Sequence, residues 1–434
     1  MNRIILIGNG FDLAHGMNTS YNHFLKDYWK NIITQLQNTA SNNITSLEVV
    51  FENEEIRVDG INGPFGETTI IDATSFEDLL ANLKSQNVAL TFKNKFFEII
   101  SNKSHIQNWV DIENEYYSLL KSTFNNRSSS GYGTDVKALN SDFEKIKKRL
   151  IEYLKKIEAK FNENLDSNFL RTKNIIGHKI YHPFKLKDFS ESSLNQKAEV
   201  EYSLIKKDIE ALADEQITMD DLSEHNRRLI QIIGTKKPLT EIKKLLQSDS
   251  AINYFDLIPD QTIFLNFNYT FTDKIYNNPR EFDQFNDNRY TSVKSIHIHG
   301  TTDSRDKNPV IFGFGDEIDD DYKSIEKLND NNYLENIKSI NYLETDNYKN
   351  LLEYINSGNF QVFIFGHSCG ISDRTLLNTI FEHENCASIK LFYHQKAEDV
   401  DNYSDIVRNI SRNFNDKAKM RDRVVNKNYC EQLR

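Results

Sequence analysis

Residues 3–21 read RIILIGNGFDLAHGMNTSY and join a short apolar run to a glycine-rich turn. An apolar run that ends at Gly8 is typical of a strand buried on both faces of a parallel sheet. The next glycines are Gly10 and Gly16, and Leu13 occupies the third position of a G-x-G-x-x-G pattern. The dehydrogenase fingerprint is therefore absent, while a strand, a tight turn and a helix start remain. By itself the stretch is equally compatible with a nucleotide cradle and with a turn needed only for packing.

Later apolar segments resemble this first strand, and several end in Gly or Asn. These segments are 262–269 (TIFLNFNY), 293–300 (VKSIHIHG), 309–315 (PVIFGFG), 361–368 (QVFIFGHS) and 388–394 (SIKLFYH). They predict an α/β fold with a doubly wound, Rossmann-like, mostly parallel sheet. In such sheets ligands bind outside the carboxyl ends of the strands, so we expect a site there.

The chain between the first two predicted strands has a different character. Apolar residues recur at helical spacing with charges between them, which predicts amphipathic helices. Alternation with Gly and Pro turns at 47–72 is compatible with a small β-hairpin. We therefore predict a nucleotide-binding domain from residues 1–38 and 259–400, and a mainly α-helical insertion at 39–258. A C-terminal helix and tail at 401–434 complete the chain.

Composition limits the functional classes. A chain of 434 residues with 38% hydrophobic content buries a substantial core. The formal net charge of −11 makes nucleic acid an unexpected partner. Cys369, Cys386 and Cys430 form neither a disulfide framework nor a zinc ribbon, which favours a reducing compartment. No apolar run has the length of a signal peptide or a membrane span, so we expect a cytoplasmic protein without membrane contact.

Polar residues cluster where the predicted strands end. Asn266 and Asn268 share one strand face, as do His297 and His299, because side chains alternate along a strand. The segment IFGHSCGISD places Gly366, Ser368 and Asp373 between a strand and a helix start. A single buried His or Asn is usually a satisfied core residue, but several such clusters at strand ends indicate a functional site.

The order of these motifs resembles the sirtuin-like NAD-consuming fold. NGFDLAHG, TSYNHFL, NFNYTFTDKIY, IHIHG, PVIFGFGDE and GHSCGISD resemble more closely the bacteriophage abortive-infection AbiH family. The resemblance implies that NAD⁺ is the substrate, that Asn268 places the ribose and the attacking water, and that His299 is the catalytic histidine. It also implies cofactor-binding positions, which we place at Gly8, Asn9, Gly10, Asp12, Gly366, Ser368 and Asp373.

Two residues depart from the sirtuin pattern. Asp12 replaces a small hydroxyl residue after the turn, and Thr270 stands where an Asp is expected. A carboxylate near a pyrophosphate is unfavourable unless it caps a helix or binds a cation, which leaves three roles open for Asp12: helix cap, cation ligand or catalytic group. For Asp373, a position at a helix start favours a capping role. His15, His23 and His367 are expected to be structural.

The sequence therefore favours an antiphage effector that hydrolyses NAD⁺ to nicotinamide and ADP-ribose, with no resident metal. Such an activity is compatible with control by homo-oligomerisation or by a phage-derived trigger. One alternative is a metal-dependent nuclease or phosphohydrolase that uses His297, His299, Asp12 and His15. A second alternative is a non-catalytic nucleotide sensor.

Overall fold

A six-stranded parallel sheet is the centre of the computed structural model, which describes residues 1–41, 49–59, 71–86, 88–103, 109–125, 131–163, 166–282 and 292–434. The strands in chain order are β1 (Asn2–Ile7), β2 (Val49–Glu52), β3 (Ile56–Asp59), β4 (Leu90–Phe92), β5 (Gln261–Asn266), β6 (Ser292–His297), β7 (Phe360–Phe365), β8 (Cys386–Tyr393), β9 (Gln395–Ala397), β10 (Val400–Asp401) and β11 (Glu431–Gln432).

Helices surround this sheet. They are α1 (Asn9–Ala14), α2 (Tyr21–Ser41), α3 (Phe76–Ser85), α4 (Lys95–Asn102), α5 (Trp109–Phe124), α6 (Val136–Glu163), α7 (Ser167–Tyr181), α8 (Glu191–Ala213), α9 (Glu224–Ile233), α10 (Pro238–Leu246), α11 (Asp320–Glu326), α12 (Lys338–Asn341), α13 (Asn347–Asn356), α14 (Arg374–Phe381), α15 (Tyr403–Asn413) and α16 (Lys417–Arg423). Within the described ranges, no helix has both the length and the apolar character needed to cross a membrane.

The large sheet has the order β11-β8-β7-β1-β5-β6, and every neighbouring pair is parallel. From β1 the chain continues to β5 and β6 on one side, and it then returns to β7, β8 and β11 on the other. The direction of strand order therefore reverses between β1 and β7, where open α/β sheets bind ligands. Because Ile7 pairs with both Asn266 and Phe365, the segments after these three strands begin side by side.

Strand β1 is buried on both faces, as its sequence predicts. Ile4 and Leu6 belong to a core with apolar residues of α13, α14 and α15. Ile5 and Ile7 belong to the core on the opposite face, which includes residues of α1 and α7. Burial of each such side chain contributes about 1.5–3 kcal/mol, so a continuous apolar strand is needed at this position.

One predicted strand is wrong. Residues 309–315 form a buried loop that fits between the sheet and the insertion. The ring of Phe312 stacks on Phe143 of α6 with centroids 4.9 Å apart, and Phe314 stacks on Tyr117 of α5 at 3.9 Å. The segment is apolar because it is buried between elements, and an apolar run does not by itself distinguish this situation from a central strand.

The chain between β1 and β5 is mainly helical in its described parts. Strands β2 and β3 form an antiparallel hairpin inside the segment 47–72, and β4 adds a third strand. Residues 60–70 of that segment lie outside the described residues. The C-terminal part also contributes to the sheet, because β11 pairs with β8 after helices α15 and α16.

Candidate active site

A cavity of about 590 Å³ lies at the carboxyl ends of the central strands. The turns after β1, β5, β6, β7 and β8 form its walls, since the parallel register brings them to one edge of the sheet. Every residue predicted above as catalytic or cofactor-binding lines this cavity: Gly8, Asn9, Gly10, Asp12, Asn268, His299, Gly366, Ser368 and Asp373.

The turns after β1 and β7 contact each other through glycine backbone. Gly8 N donates to Phe365 O at 3.2 Å, and Gly10 N donates to Gly366 O at 2.9 Å. A Cβ on Gly366, whose φ is +70°, would lie 2.1 Å from Phe11 N, so this close approach requires glycine. In a nucleotide cradle the N–H groups of Gly8 and Gly10 would be directed at a phosphate, but here both donate to carbonyls inside the fold.

The two asparagines at the end of β5 have different roles. Asn266 is fully buried, and its Nδ2 donates to Thr270 O and Asp273 Oδ1, each at 3.0 Å. Its Oδ1 accepts a hydrogen bond from Asn268 N at 2.8 Å. Asn268 lines the cavity and donates from Nδ2 to Gly8 O at 3.0 Å. Asn266 thus fixes the turn that presents Asn268 beside the glycine contact.

Asp12 is a buried hydrogen-bond acceptor within α1. Its Oδ2 accepts from Thr270 Oγ1 and its Oδ1 from Thr272 Oγ1, both at 2.7 Å. Burial raises the pKa of Asp12 to about 6, although the two hydroxyls act in the opposite direction. Because α1 begins after Gly8 without a side-chain cap, the helix-cap interpretation of Asp12 is wrong. Asp12 and Thr270, the two departures from the sirtuin pattern, are hydrogen-bond partners.

Asp373 is the centre of a buried polar cluster. It precedes α14 but makes no capping hydrogen bond, so the expected capping role is wrong. Its Oδ1 lies 2.8 Å from Lys338 Nζ and 3.2 Å from His299 Nε2, and its Oδ2 lies 3.6 Å from His367 Nε2. Burial alone raises the pKa of Asp373, but Lys338 and His299 outweigh burial and hold it well below its ordinary value. The carboxylate is therefore ionised and orients His299.

Lys338 connects this carboxylate to the helical insertion. Its Nζ lies 2.8 Å from Glu113 Oε1 of α5, and both side chains are buried. Burial lowers the pKa of Lys338, but Asp373 and Glu113 raise it further than burial lowers it. Burial raises the pKa of Glu113 to about 7, opposed by Lys338. The sequence predicted neither residue, because an ion pair between distant segments leaves no local pattern.

His299 is enclosed by aromatic rings and is neutral. Phe267 meets it edge to face with centroids 5.0 Å apart, and its Nε2 lies 3.2 Å from Tyr342 Oη. With Nε2 facing Asp373 and Tyr342, Nδ1 has no hydrogen bond to a residue that the structure describes. Burial lowers the pKa of His299 to about 4, and the charge of Lys338 acts in the same direction. The imidazole is thus neutral, and Nδ1 is the ring nitrogen that carries no proton.

Two further residues of the β7 turn contribute to the cavity wall. His367, which was expected to be structural, accepts a hydrogen bond at Nδ1 from Cys369 N at 3.0 Å, so its Nε2 carries the proton that faces Asp373. Ser368 lies at the exposed mouth, and its carbonyl accepts from Asn409 Nδ2 at 2.8 Å. Strand β7 therefore supplies both the interior and the rim of the site.

The residues considered as metal ligands are not brought together. His15 uses both ring nitrogens, in hydrogen bonds with Phe11 O at 2.7 Å and Tyr276 Oη at 2.6 Å. His297 instead lies 3.2 Å from Asp273. Among the described residues, no group of three or more His, Cys, Asp or Glu side chains is arranged to hold a metal ion. The structural role expected for His15 is confirmed.

These features define an α/β protein with a parallel sheet and a buried histidine–carboxylate site where the strand order reverses. The chain belongs to the bacteriophage abortive infection AbiH family, whose model matches residues 4–395. Membership of this family indicates a role in antiphage defence. Comparisons with curated proteins and with solved structures gave no match.

Proposed function

We propose that this AbiH protein is an antiphage effector that hydrolyses NAD⁺ to nicotinamide and ADP-ribose. One observation carries the proposal: His299 and Asp373, buried and 3.2 Å apart, border the same cavity as Asn268 at the carboxyl ends of parallel strands. The resemblance to sirtuin-like NAD-consuming proteins assigns catalytic roles to the same asparagine and histidine. Loss of NAD⁺ would stop the metabolism on which a phage depends.

The proposed reaction needs a base and no redox partner. The bond between ribose C1′ and the pyridine nitrogen breaks, and its electron pair leaves with nicotinamide. The oxygen of water bonds to C1′, and the proton that water loses passes to Nδ1 of His299. A positioned general base contributes about 10²- to 10⁴-fold to the rate. Asp373 accepts from Nε2–H and so keeps Nδ1 unprotonated.

The charge around His299 suits a positively charged sugar. Asp12 and the ionised Asp373 line the cavity, and the buried Lys338 lies between Asp373 and Glu113. Since the sugar carbon acquires oxocarbenium character as nicotinamide leaves, fixed carboxylates stabilise the transition state more than the ground state.

Asn268 has the role of positioning the reactants. Its Nδ2 donates to Gly8 O at 3.0 Å, which fixes the plane of the amide group. We assign its amide oxygen to the attacking water or to a ribose hydroxyl. Correct orientation of this kind lowers the entropic barrier of the reaction.

An enzyme that depletes NAD⁺ must be inactive before infection. We therefore expect oligomerisation or a phage-derived trigger to control it. Glu113 of the insertion lies in the cavity wall, so a signal received by α5 has a direct route to Asp373 through Lys338.

Incubation of the purified protein with NAD⁺, with nicotinamide and ADP-ribose quantified, tests the proposal. We expect His299→Ala and Asp373→Asn to reduce turnover at least about 100-fold. Asn268→Ala should also lose activity. His225→Ala is the matched control, because His225 is an exposed histidine of α9 that lies outside the cavity lining.

Circular dichroism of each variant separates loss of catalysis from loss of folding. Turnover that survives both His299→Ala and Asn268→Ala would overturn the assignment. Binding of NAD⁺ without any product would instead assign the site to a nucleotide sensor.

A further inference from the structure

The end of the cavity farthest from His299 is lined by basic side chains. His394 and Lys396 follow strand β8, and Arg434 follows strand β11. All three are exposed at the mouth of the cavity. Partial burial lowers the pKa of His394, and the charges of Arg434 and Lys396 lower it further, which agrees with a close grouping of the three side chains.

The two permanent charges of this group have few protein partners. Arg434 Nη1 donates to Ala14 O, a neutral carbonyl, at 3.1 Å, and Arg434 forms no ion pair with any residue that the structure describes. Lys396 Nζ lies 3.9 Å from Asp405 Oδ2, and the same carboxylate lies 2.7 Å from Arg408 Nη1. Arg434 is thus available to an anionic ligand, whereas Lys396 shares the carboxylate of Asp405, which also lines the cavity, with Arg408.

The rest of the described cavity wall offers little to an anion. Lys338 lies between Glu113 and Asp373, 2.8 Å from each. The N–H groups of Gly8 and Gly10 donate to backbone carbonyls. Within the described lining, lysine and arginine charge exceeds that of the nearby carboxylates at the β8–β11 end, where Asp405 is shared between Lys396 and Arg408.

The distance between the two ends of the cavity suits an extended ligand. In the order β11-β8-β7-β1-β5-β6, four strand intervals separate β8 from β6, the strand that leads to His299. At about 4.8 Å for each interval, strands β6 and β8 are about 19 Å apart in the sheet, and the side chain of His299 crosses part of this span to reach Asp373. A dinucleotide is extended enough to place its scissile bond at one end and phosphate toward the other.

We propose that Lys396 and Arg434, assisted by His394, bind a phosphate group of a dinucleotide and so set the direction in which the substrate lies in the cavity. This inference rests on the proposed hydrolysis of NAD⁺ and assigns the residues that recognise its anionic part. Arginine binds phosphate through two parallel N–H donors, whereas lysine acts as a point charge. The glycine turn then serves as a wall between the two ends of the ligand.

Titration calorimetry in the His299→Ala background tests the inference without turnover. The ligands are NAD⁺, NADP⁺, which has an additional phosphate, and nicotinamide riboside, which has none. We expect Lys396→Met and Arg434→Met each to weaken binding of a phosphate-bearing ligand about tenfold or more, and to leave nicotinamide riboside unaffected. Lys419→Met, an exposed lysine of α16 outside the cavity lining, is the matched control.

The ligands also locate the phosphate. Weaker binding of both dinucleotides would place the pyrophosphate at these cations, and a loss confined to NADP⁺ would place its additional phosphate there. Unchanged affinity for both would overturn the inference while leaving NAD⁺ hydrolysis in place. If the unsubstituted cavity binds neither dinucleotide, the proposed function fails together with it. Lys396 is exposed, so its variant should fold normally.

Discussion

From the contact between the turns after β1 and β7, we predict how much stability Gly366→Ala loses. At φ +70° an L side chain costs about 1–2 kcal/mol. The new Cβ would lie 2.1 Å from Phe11 N and 2.4 Å from Gly10 C, which are backbone atoms at the start of α1. Relief of such overpacking costs about 1–3 kcal/mol more. We expect the free energy of unfolding to fall by about 2–5 kcal/mol.

Gly16→Ala separates the two contributions. Gly16 has φ +81°, but no atom lies within 4 Å of its added Cβ, so only the conformational cost of about 1–2 kcal/mol applies. Denaturation by urea, followed by circular dichroism, measures both variants, and a lower midpoint at constant slope reports lost stability. Equal losses of stability for Gly366→Ala and Gly16→Ala would refute the reasoning. The turns after β1 and β7 would then be able to move apart around the new Cβ without loss of free energy.

Three further predictions concern buried charges. Since burial raises the pKa of Asp12 to about 6 from an ordinary value of 3.8, its contribution to stability is fully present below pH 3.8 and lost as the pH rises through 6. We therefore compare the free energies of unfolding of Asp12→Asn and the parent at pH 4 and pH 7, and the variant should gain about 2 kcal/mol relative to the parent between the two pH values. An equal difference at both pH values would contradict this. Lys338→Met, which removes the cation between two buried carboxylates, should lower the free energy of unfolding by about 3–5 kcal/mol, with partial recovery in Lys338→Met/Glu113→Gln; no recovery would argue against the pair. A double-mutant cycle tests the hydrogen bond between Asp12 and Thr270. The double variant Asp12→Thr/Thr270→Asp, which exchanges the two partners, should lose about 1 kcal/mol or more less stability than the sum of the two single variants. Strict additivity would show that the hydrogen bond is unimportant.

The insertion contributes side chains directly to the site. Glu113 comes from α5, and the aromatic stack of Tyr117 on Phe314 joins the same helix to the loop that precedes Lys338. Displacement of α5 would therefore remove a charge from the cavity. The structure thus couples the insertion to the site through buried contacts.

Local sequence predicted much of the sheet and of the cavity wall. Apolar runs identified β1, β5, β7 and β8, because strands buried on both faces leave little room for polar residues. The more polar β6, which is largely exposed along its first four residues, was identified from a segment that ends in Gly. Polar residues after these strands were correctly expected at one edge, since the carboxyl ends of parallel strands meet there. This is why the predicted candidates, from Gly8 to Asp373, line a single cavity.

Tertiary structure alone decided the chemistry of that cavity. The segment 309–315 is as apolar as a strand, because burial selects apolar residues whether or not a neighbouring strand supplies hydrogen bonds. Asp373 is a cap by position but an ion-pair partner in space, since Lys338 reaches it from a different segment and is itself paired with Glu113 of the insertion. The glycine turn after β1 is a contact between two backbones. Its N–H groups donate to the carbonyls of Phe365 and Gly366, at the end of β7. Sequence periodicity records which residues are buried, and only the folded chain determines which of the buried polar groups meet.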